Sequence, residues 1–282
     1  MEINRVGVIG AGQMGAGIAQ VCASIGKVVT MCDIKQEFVD NGIDSIRKNL
    51  QRNVSKDRIS QNDMDDTLGN LRTSLENENL SNCDIVIEAI IEDVDIKKSL
   101  FSNLGKICEK RTILASNTSS IPIGILAEAS GRPSKVVGMH FMNPVPIMKL
   151  VEVIRAKSTS DDTFDSTFKL AEELDKVPVL VNDFPGFVSN RILLPMLNEA
   201  MFCVMEGVAK PEAIDTVMRL GMSHPMGPLT LADFIGLDTC LAIMKVLHKD
   251  LNDDKYRPCP LLEEMVKDGK LGKKSGVGFY NY

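Results

Sequence analysis

Short apolar runs alternate with longer amphipathic segments through the first part of the chain. The runs are rich in valine and isoleucine, and each has the length of a single buried strand. They occupy residues 3–9, 27–33, 84–90, 112–117, 135–141, 148–154 and 177–181. Segments with helical spacing occupy residues 11–26, 35 to about 75, 95–108, 122–130 and 161–175. Strands that alternate with helices predict βαβ units and a parallel sheet.

The pattern changes after Pro185, where the short β-branched runs stop. Helical spacing continues in four segments separated by glycine or proline, at residues 186–206, 211–220, 227–248 and 260–268. We therefore predict an α/β domain over residues 1–184 and an all-α domain over residues 185–282. The total length of 282 residues agrees with two domains of ordinary size.

A glycine-rich turn joins the first predicted strand to the first predicted helix. Its residues fit the pattern G-x-G-x-x-G and are Gly10, Ala11, Gly12, Gln13, Met14 and Gly15. In such a turn the first glycine allows the sharp bend, and the second lets a pyrophosphate approach the amides of the helix N-terminus. The third lets helix and strand pack closely. We therefore predict a Rossmann-type dinucleotide-binding domain, with an unliganded glycine turn as the alternative.

Asp33 follows the second predicted strand, at the spacing expected of the acid that binds the adenosine ribose. A carboxylate accepts a hydrogen bond from a ribose 2′-hydroxyl, whereas it repels the 2′-phosphate of NADP. The position of Asp33 therefore favours NAD over NADP. Enzymes that bind FAD use the same turn, so the turn alone does not specify hydride chemistry.

The composition excludes several classes of protein. A net charge of −6 provides no basic field for a nucleic acid backbone. The seven cysteines are scattered without a C-x-x-C pair, which predicts free thiols and no zinc site. No apolar stretch reaches the roughly 18 residues of a membrane span, and the N-terminus lacks the order of a signal peptide. We therefore expect a cytoplasmic protein that binds neither membranes nor nucleic acids.

The chain has only three histidines, and one of them has a suggestive position. His140 lies at the C-terminal end of a predicted strand, in the segment GMHFMNP, where open α/β sheets place their ligands. His224 lies in a predicted turn, and His248 lies at a charged helix end. His140 is therefore the candidate for proton transfer.

Several segments together resemble one family, the L-3-hydroxyacyl-CoA dehydrogenases, and most closely its free-standing bacterial 3-hydroxybutyryl-CoA dehydrogenases. The resemblance covers nearly the whole chain and is carried by GAGQMG, EAIIED, SNTSS, GMHFMNP, KLVEVI, PGFVSNRI, HPMGPL and GKKSGVGFYNY. It implies NAD-dependent, reversible interconversion of (S)-3-hydroxybutyryl-CoA and acetoacetyl-CoA. It also implies a role in fatty-acid or butanoate metabolism.

The resemblance assigns roles to four residues. His140 matches the family's acid/base, Glu152 the glutamate that orients it, and Asn190 and Ser119 the groups beside the substrate oxygen. The chemistry agrees, because imidazole suits proton transfer near neutrality and a carboxylate on its other nitrogen stabilises the imidazolium. The structural alternatives are a core histidine, a surface glutamate, a helix-surface asparagine and a serine N-cap.

Further matches concern the cofactor and coenzyme A. The residues that match the family's cofactor-lining positions are Glu92, Lys97, Asn117, Asn143 and Lys274. Arg52 and Lys56, which we predict four apart on one helical face, match cations that the family uses for the coenzyme A phosphates. A solvated surface role is the alternative for each of these residues.

The chain departs from the family pattern at Met142, where phenylalanine is usual, and at Ser189, where an aliphatic residue is usual. Both flank catalytic candidates, so we expect altered packing of the pocket with the chemistry retained. The family also implies a helical second domain that contributes to the substrate cleft and forms a homodimer. Two alternatives remain open, which are a related dehydrogenase of a sugar acid such as gulonate and a crystallin-like structural protein.

Overall fold

One eight-stranded sheet forms the centre of the first unit in the computed structural model, which describes residues 1–282. Its strands are β1 (Arg5–Ile9), β2 (Val28–Cys32), β3 (Leu71–Ser74), β4 (Ile85–Glu88), β5 (Ile113–Ser116), β6 (Val136–Phe141), β7 (Leu150–Arg155) and β8 (Val177–Asn182). Their spatial order is β3-β2-β1-β4-β5-β6-β7-β8. The first six strands have the order of a doubly wound dinucleotide-binding sheet, with its switch point between β1 and β4.

Six helices connect these strands. They are α1 (Gln13–Ser24), α2 (Gln36–Val54), α3 (Gln61–Gly69), α4 (Val94–Ile107), α5 (Ile123–Ala129) and α6 (Asp161–Glu173). Apolar residues of α1, α2 and α6 form one buried cluster with the strands, and α4 packs against α5. The predicted alternation of strands and helices is confirmed over this unit.

The sheet differs from the prediction at one strand pair. β7 pairs with β6 in the antiparallel direction, whereas all other neighbouring strands are parallel. Only residues 142–149 separate β6 from β7. A parallel pair needs a crossover of a dozen or more residues, so this short link permits only an antiparallel pair.

The prediction of one helical segment from 35 to about 75 is wrong in detail. The structure contains two helices there and then the edge strand β3, Leu71–Ser74. Only Leu71 of this strand is buried. Four residues with one buried side chain are too few to show the alternation that identifies a strand.

Five helices form the second unit. They are α7 (Ser189–Met205), α8 (Pro211–Thr216), α9 (Pro228–Ile235), α10 (Leu237–Leu251) and α11 (Pro260–Lys267). The predicted helix over 227–248 is two helices, because Gly236 has a φ of 102° that no helix contains. The predicted helix over 211–220 ends as an α-helix at Thr216 and continues as a π-helical turn, Val217–Gly221.

The chain divides by its internal contacts into residues 1–183 and 184–282. The predicted boundary lies one residue later, between 184 and 185. Each unit has its own buried apolar cluster. All seven cysteines are free thiols, as predicted. None of the helices combines the length and the apolar character needed to cross a bilayer.

Candidate active site

Two glycines of the turn after β1 are required by the fold itself. Gly10 has a φ of 99°, and a Cβ there would lie 2.5 Å from the carbonyl oxygen of Ala89. A Cβ on Gly15 would lie 1.7 Å from the carbonyl oxygen of Gly10. Any side chain at either position would push the start of α1 away from the strand ends.

Gly12 has a different environment. A Cβ on Gly12 would meet no atom within 4 Å, so no contact within the protein requires glycine there. Gly12 is also the N-cap of α1, where no side chain caps the helix and the first turn, which holds Gln13 and Met14, has no acid. The first amides of a helix lack intrahelical partners and attract anions. This turn therefore fits a pyrophosphate that approaches the backbone at Gly12.

Asp33 lies directly after β2, beside the same turn. Its Oδ2 accepts a hydrogen bond from the Ala11 amide at 2.7 Å, and its Oδ1 accepts one from the Ile34 amide at 2.7 Å. These bonds hold the carboxylate at the edge of a cavity of about 540 Å³. The cavity is lined mainly by apolar groups, among them Ile34 and Ile91, whose exposed fractions are 81% and 66%. An apolar slot beside an oriented carboxylate fits an adenosine.

His140 and Glu152 form a buried pair at the antiparallel end of the sheet. They are direct cross-strand partners in β6 and β7, and their exposed fractions are 8% and 1%. The His140 Nδ1 lies 2.8 Å from the Glu152 Oε2. A carboxylate at this position assigns the proton to Nδ1, which leaves Nε2 as the basic nitrogen. Glu152 is therefore no surface residue.

Ser119 lies in the loop after β5, the strand next to β6. Its amide donates to the Glu92 Oε1 at 3.0 Å, and the Thr118 hydroxyl and the Ser120 amide donate to the same oxygen at 2.6 and 3.1 Å. The N-cap of α5 is Pro122, without a side-chain hydrogen bond. Ser119 is thus not a helix cap, and its loop is organised around Glu92.

Glu92 carries its negative charge in a favourable setting. Burial alone would raise the pKa of Glu92, but the charge of Lys97 and the hydrogen bonds from Thr118, Ser120 and Ser119 outweigh it and hold that pKa below its usual value. The carboxylate therefore stays ionised and accepts these bonds at neutral pH.

Lys97 is fully buried, which excludes the solvated alternative. Its Nζ lies 2.5 Å from the Glu88 Oε1 and 3.2 Å from the Glu92 Oε2. Glu88 was missed by the site prediction, although the segment EAIIED contributes to the resemblance. A carboxylate that ends the apolar run of β4 is the signal that could have identified it, because a buried acid needs a partner.

The two predicted asparagines of the first unit bind their neighbours. The Asn117 Oδ1 accepts a hydrogen bond from the Phe141 amide at 2.8 Å, which joins the ends of β5 and β6. The Asn143 Oδ1 accepts one from the Gln13 Nε2 at 3.1 Å, which joins the loop after His140 to α1. Both lie at the carboxyl edge of the sheet.

Two further predicted residues belong to the second unit. Asn190 is buried in the first turn of α7, so it is not a helix-surface residue. Lys274 lies in the C-terminal segment, where its Nζ forms an ion pair with Asp238. Ser189, which departs from the family pattern, opens α7, and Met142, the other departure, follows β6 and is half-buried.

The geometry predicted for Arg52 and Lys56 is wrong. Helix α2 ends at Val54, and its C-cap is Ser55. Arg52 therefore lies in the last helical turn and Lys56 in the turn that follows, so they do not share one helical face. Both side chains are exposed.

The comparisons with known proteins agree with this architecture. Residues 5–184 match the family model of the 3-hydroxyacyl-CoA dehydrogenase NAD binding domain. Residues 186–282 match that of the 3-hydroxyacyl-CoA dehydrogenase C-terminal domain. The first match confirms NAD as the predicted cofactor.

Individual relatives cover the chain almost completely. A probable 3-hydroxybutyryl-CoA dehydrogenase of Deinococcus radiodurans is 61% identical, over 99% of this chain and 100% of its own. The 3-hydroxybutyryl-CoA dehydrogenase of Bradyrhizobium diazoefficiens is 49% identical, over 99% and 96%. The crystal structure of (S)-3-hydroxybutyryl-CoA dehydrogenase from Ralstonia eutropha superposes with a TM-score of 0.97 at 47% identity, over 100% and 99%.

Proposed function

Because the chain belongs to the 3-hydroxyacyl-CoA dehydrogenase family, we propose that it interconverts (S)-3-hydroxybutyryl-CoA and acetoacetyl-CoA with NAD as the redox partner. The observation that supports this most directly is the 2.8 Å contact between the His140 Nδ1 and the Glu152 Oε2. A role in fatty-acid or butanoate metabolism is part of the same proposal.

The proposed mechanism assigns proton transfer to His140. When bound, NAD supplies the acceptor or donor of hydride at the 3-carbon of the substrate. In the oxidation, the His140 Nε2 takes the proton of the 3-hydroxyl group, and Glu152 stabilises the resulting imidazolium through Nδ1. In the reduction, the same nitrogen returns the proton to the 3-oxygen. Ser119 and Asn190 would donate hydrogen bonds to that oxygen as its charge changes.

The proposal is tested by following NADH consumption with acetoacetyl-CoA. We expect turnover by the wild type and a fall of about a thousandfold in kcat for His140→Gln, because general acid–base catalysis contributes about 10²–10⁴-fold. NADH affinity is expected to stay unchanged. His248→Gln, which alters a partly exposed histidine whose Nε2 lies 3.1 Å from the Asp254 Oδ1, is the control.

Other outcomes identify the alternatives. Turnover of gulonate without turnover of acetoacetyl-CoA would establish a sugar-acid dehydrogenase. NADH binding without turnover of either would indicate a structural protein. Wild-type kcat in His140→Gln would contradict the mechanism.

Two matched glycine variants test the proposed binding of the cofactor at the turn after β1. In Gly12→Ala the new methyl group meets no protein atom, so we expect unchanged folding stability and NADH affinity weakened at least about tenfold by contact with the pyrophosphate. In Gly15→Ala the methyl group meets the Gly10 carbonyl, so the stability itself should fall. Equal NADH affinity in Gly12→Ala and the wild type, or a higher kcat/KM with NADPH than with NADH, would oppose the cofactor assignment.

The coenzyme A phosphates are assigned to Arg52 and Lys56. Both are exposed cations near the end of α2, and such cations attract phosphates. Replacing both by alanine should raise KM for acetoacetyl-CoA and leave KM for NADH nearly unchanged. Lys267→Ala with Lys270→Ala makes the same change in net charge in the second unit. Equal effects from the two double variants would contradict the assignment.

We also propose a homodimer through the second unit. That unit has several large apolar side chains with exposed fractions of more than half, namely Ile192, Val208, Val217, Leu220, Met222 and Phe234. Apolar surface of this kind is typical of a protein interface. Light scattering at micromolar concentration should give a mass near twice 30.9 kDa, and a monomer would refute the proposal.

A further inference from the structure

Glu88 lies at the end of β4 with both carboxylate oxygens occupied. Its Oε1 accepts hydrogen bonds from the Lys97 Nζ at 2.5 Å and the Ile90 amide at 2.8 Å. Its Oε2 accepts one from the Ser116 hydroxyl at 2.6 Å. The side chain has no exposed surface. Glu88 therefore has no direct access to a ligand, and any effect on chemistry must pass through its partners.

The partners of Glu88 close a ring of polar contacts. The Ser116 Oγ accepts a hydrogen bond from the Thr118 amide at 3.1 Å, and the Thr118 Oγ1 donates to the Glu92 Oε1 at 2.6 Å. The Glu92 Oε2 lies 3.2 Å from the Lys97 Nζ, which returns to Glu88. The ring thus includes the backbone on the N-terminal side of Ser119.

The loop of Ser119 is hydrogen-bonded to two members of this ring, Glu88 and Glu92. On one side, the Asn117 amide donates to the Glu88 carbonyl oxygen at 2.8 Å. On the other, the amides of Ser119 and Ser120 donate to the Glu92 Oε1. Since Glu92 is itself held by Lys97, a displacement of Lys97 would release the carboxylate that organises the loop.

Burying the Lys97 cation and the Glu88 carboxylate is costly compared with burying apolar side chains of similar volume. A purely structural role would be served at least as well by such side chains. What the charged ring provides in addition is a fixed position for the loop, because its hydrogen bonds are directional.

We propose that Glu88 is a positioning residue of the dehydrogenase reaction, which holds the Ser119 loop through Ser116 and through the Lys97–Glu92 ion pair. The inference rests on the proposed function, in which Ser119 contacts the substrate oxygen. It also assigns Lys97 a role inside the protein, where the family resemblance suggested only a residue lining the cofactor.

The test compares Glu88→Gln with Glu109→Gln, which neutralises an exposed carboxylate paired with Arg111. We expect kcat with acetoacetyl-CoA to fall about 10- to 100-fold in Glu88→Gln, since a misplacement of 1 Å costs up to about 10²-fold in rate. The dissociation constant for NADH should change by less than about threefold, and both readouts should be unchanged in Glu109→Gln. A loss confined to NADH affinity, or wild-type kcat in folded Glu88→Gln, would overturn the proposal.

The same substitution is then made in a Ser119→Ala background. If Glu88 acts through the Ser119 loop, Glu88→Gln should lower kcat there by less than about twofold, because coupled residues are not additive. A full 10- to 100-fold further loss would show that Glu88 acts elsewhere. Ser116→Ala keeps the charges of Glu88, Glu92 and Lys97 and removes only the hydrogen bond from Ser116 to Glu88. If Glu88→Gln fails to fold, Ser116→Ala replaces it in the test, with an expected loss in kcat of about fivefold.

Amide hydrogen exchange gives a readout that does not depend on activity. In Glu88→Gln the amides of residues 118–120 should exchange at least about tenfold faster than in Glu109→Gln, because local opening becomes easier, while those of β7 should not change. Unchanged exchange in the loop would overturn the positioning role whether or not acetoacetyl-CoA is a substrate. If the wild type fails to reduce acetoacetyl-CoA but Glu88→Gln shows this faster exchange, the result would count against the proposed function alone.

Discussion

Glu152 in the first unit and Asp233 in the second are both almost fully buried carboxylates, yet they have different partners. Glu152 contacts the imidazole of His140, with its Oε2 2.8 Å from the His140 Nδ1. Asp233 accepts hydrogen bonds from the amides of Phe279 and Tyr280, both at 3.0 Å, and from the Tyr282 hydroxyl at 3.2 Å. One carboxylate lies beside the proposed acid/base His140, and the other ties the end of the chain to α9.

The surroundings of Asp233 are shaped to bring the backbone close. A Cβ on Gly278 would lie 2.1 Å from the Asp233 Oδ1, and one on Gly272 would lie 2.3 Å from the Asp233 carbonyl oxygen. Asp215 supports the same segment, because the Tyr280 hydroxyl donates to its Oδ2 at 2.9 Å. Burial of an acid therefore does not by itself indicate catalysis, since the type of partner determines what the acid does.

The largest effect that separates the two carboxylates is expected from Glu152→Gln. The amide cannot stabilise an imidazolium at Nδ1, so kcat should fall by about a thousandfold or more, as expected when the acid of a His–carboxylate pair is neutralised. The measurement is steady-state reduction of acetoacetyl-CoA, with the thermal midpoint measured in parallel. Turnover equal to that of the wild type would remove Glu152 from the mechanism.

The matching change in the second unit should act on stability. Asp233→Asn replaces one buried carboxylate oxygen, which accepts a hydrogen bond, with an amide NH₂ group, which donates. That group would face the backbone amide of Phe279 or Tyr280, which also donates. We expect the free energy of unfolding to fall by about 1–3 kcal/mol, the usual cost of leaving buried polar groups unsatisfied. Urea denaturation of the variant and the wild type measures this difference in the free energy of unfolding. An unchanged midpoint would mean that the C-terminal segment does not depend on this carboxylate.

The smallest expected effect is a pH dependence of opposite sign at Glu92 and Asp233. The pKa of Glu92 is held below its usual value of 4.5, by Lys97 and hydrogen bonds acting against burial. Its contribution to stability is therefore present above pH 4.5 and is lost as the pH falls through the folded-state pKa.

For Asp233, burial raises the pKa above its usual value of 3.8. This effect outweighs the hydrogen bonds from Phe279, Tyr280 and Tyr282, which lower the pKa. Its contribution is therefore fully present below pH 3.8 and is lost as the pH rises through the folded-state pKa. As the pH falls from about 5 to about 3, the stability difference between wild type and Glu92→Gln should shrink. The difference between wild type and Asp233→Asn should grow, and parallel curves for the two variants would contradict both assignments.

The glycine turn and Asp33 were predicted from sequence because their signals are local. A tight bend, a helix start and the end of the next strand all lie within about two dozen residues, so spacing alone brings them together. The fold class is confirmed for the same reason, since alternating strands and helices are evident in the apolar pattern. The family model then confirms the NAD binding domain.

Other features could not be predicted because they depend on partners far apart in the chain. The ring that contains Glu88 joins the end of β4, the helix α4 and the loop after β5. The sequence shows each acid and each serine but not which oxygen accepts which hydrogen bond. Lys56 was misplaced because the end of α2 at Val54 carries no glycine or proline that would mark it.

The order of strands and helices, the dinucleotide turn and the family can be read from the amino-acid sequence, because these follow from side-chain periodicity and short-range spacing. Tertiary structure alone decided that β7 reverses direction, which places Glu152 directly opposite His140. It also decided that Lys97 lies between two carboxylates rather than in water. The physical reason is that buried charges are stable only beside their partners, and those partners come together only when the sheet has formed.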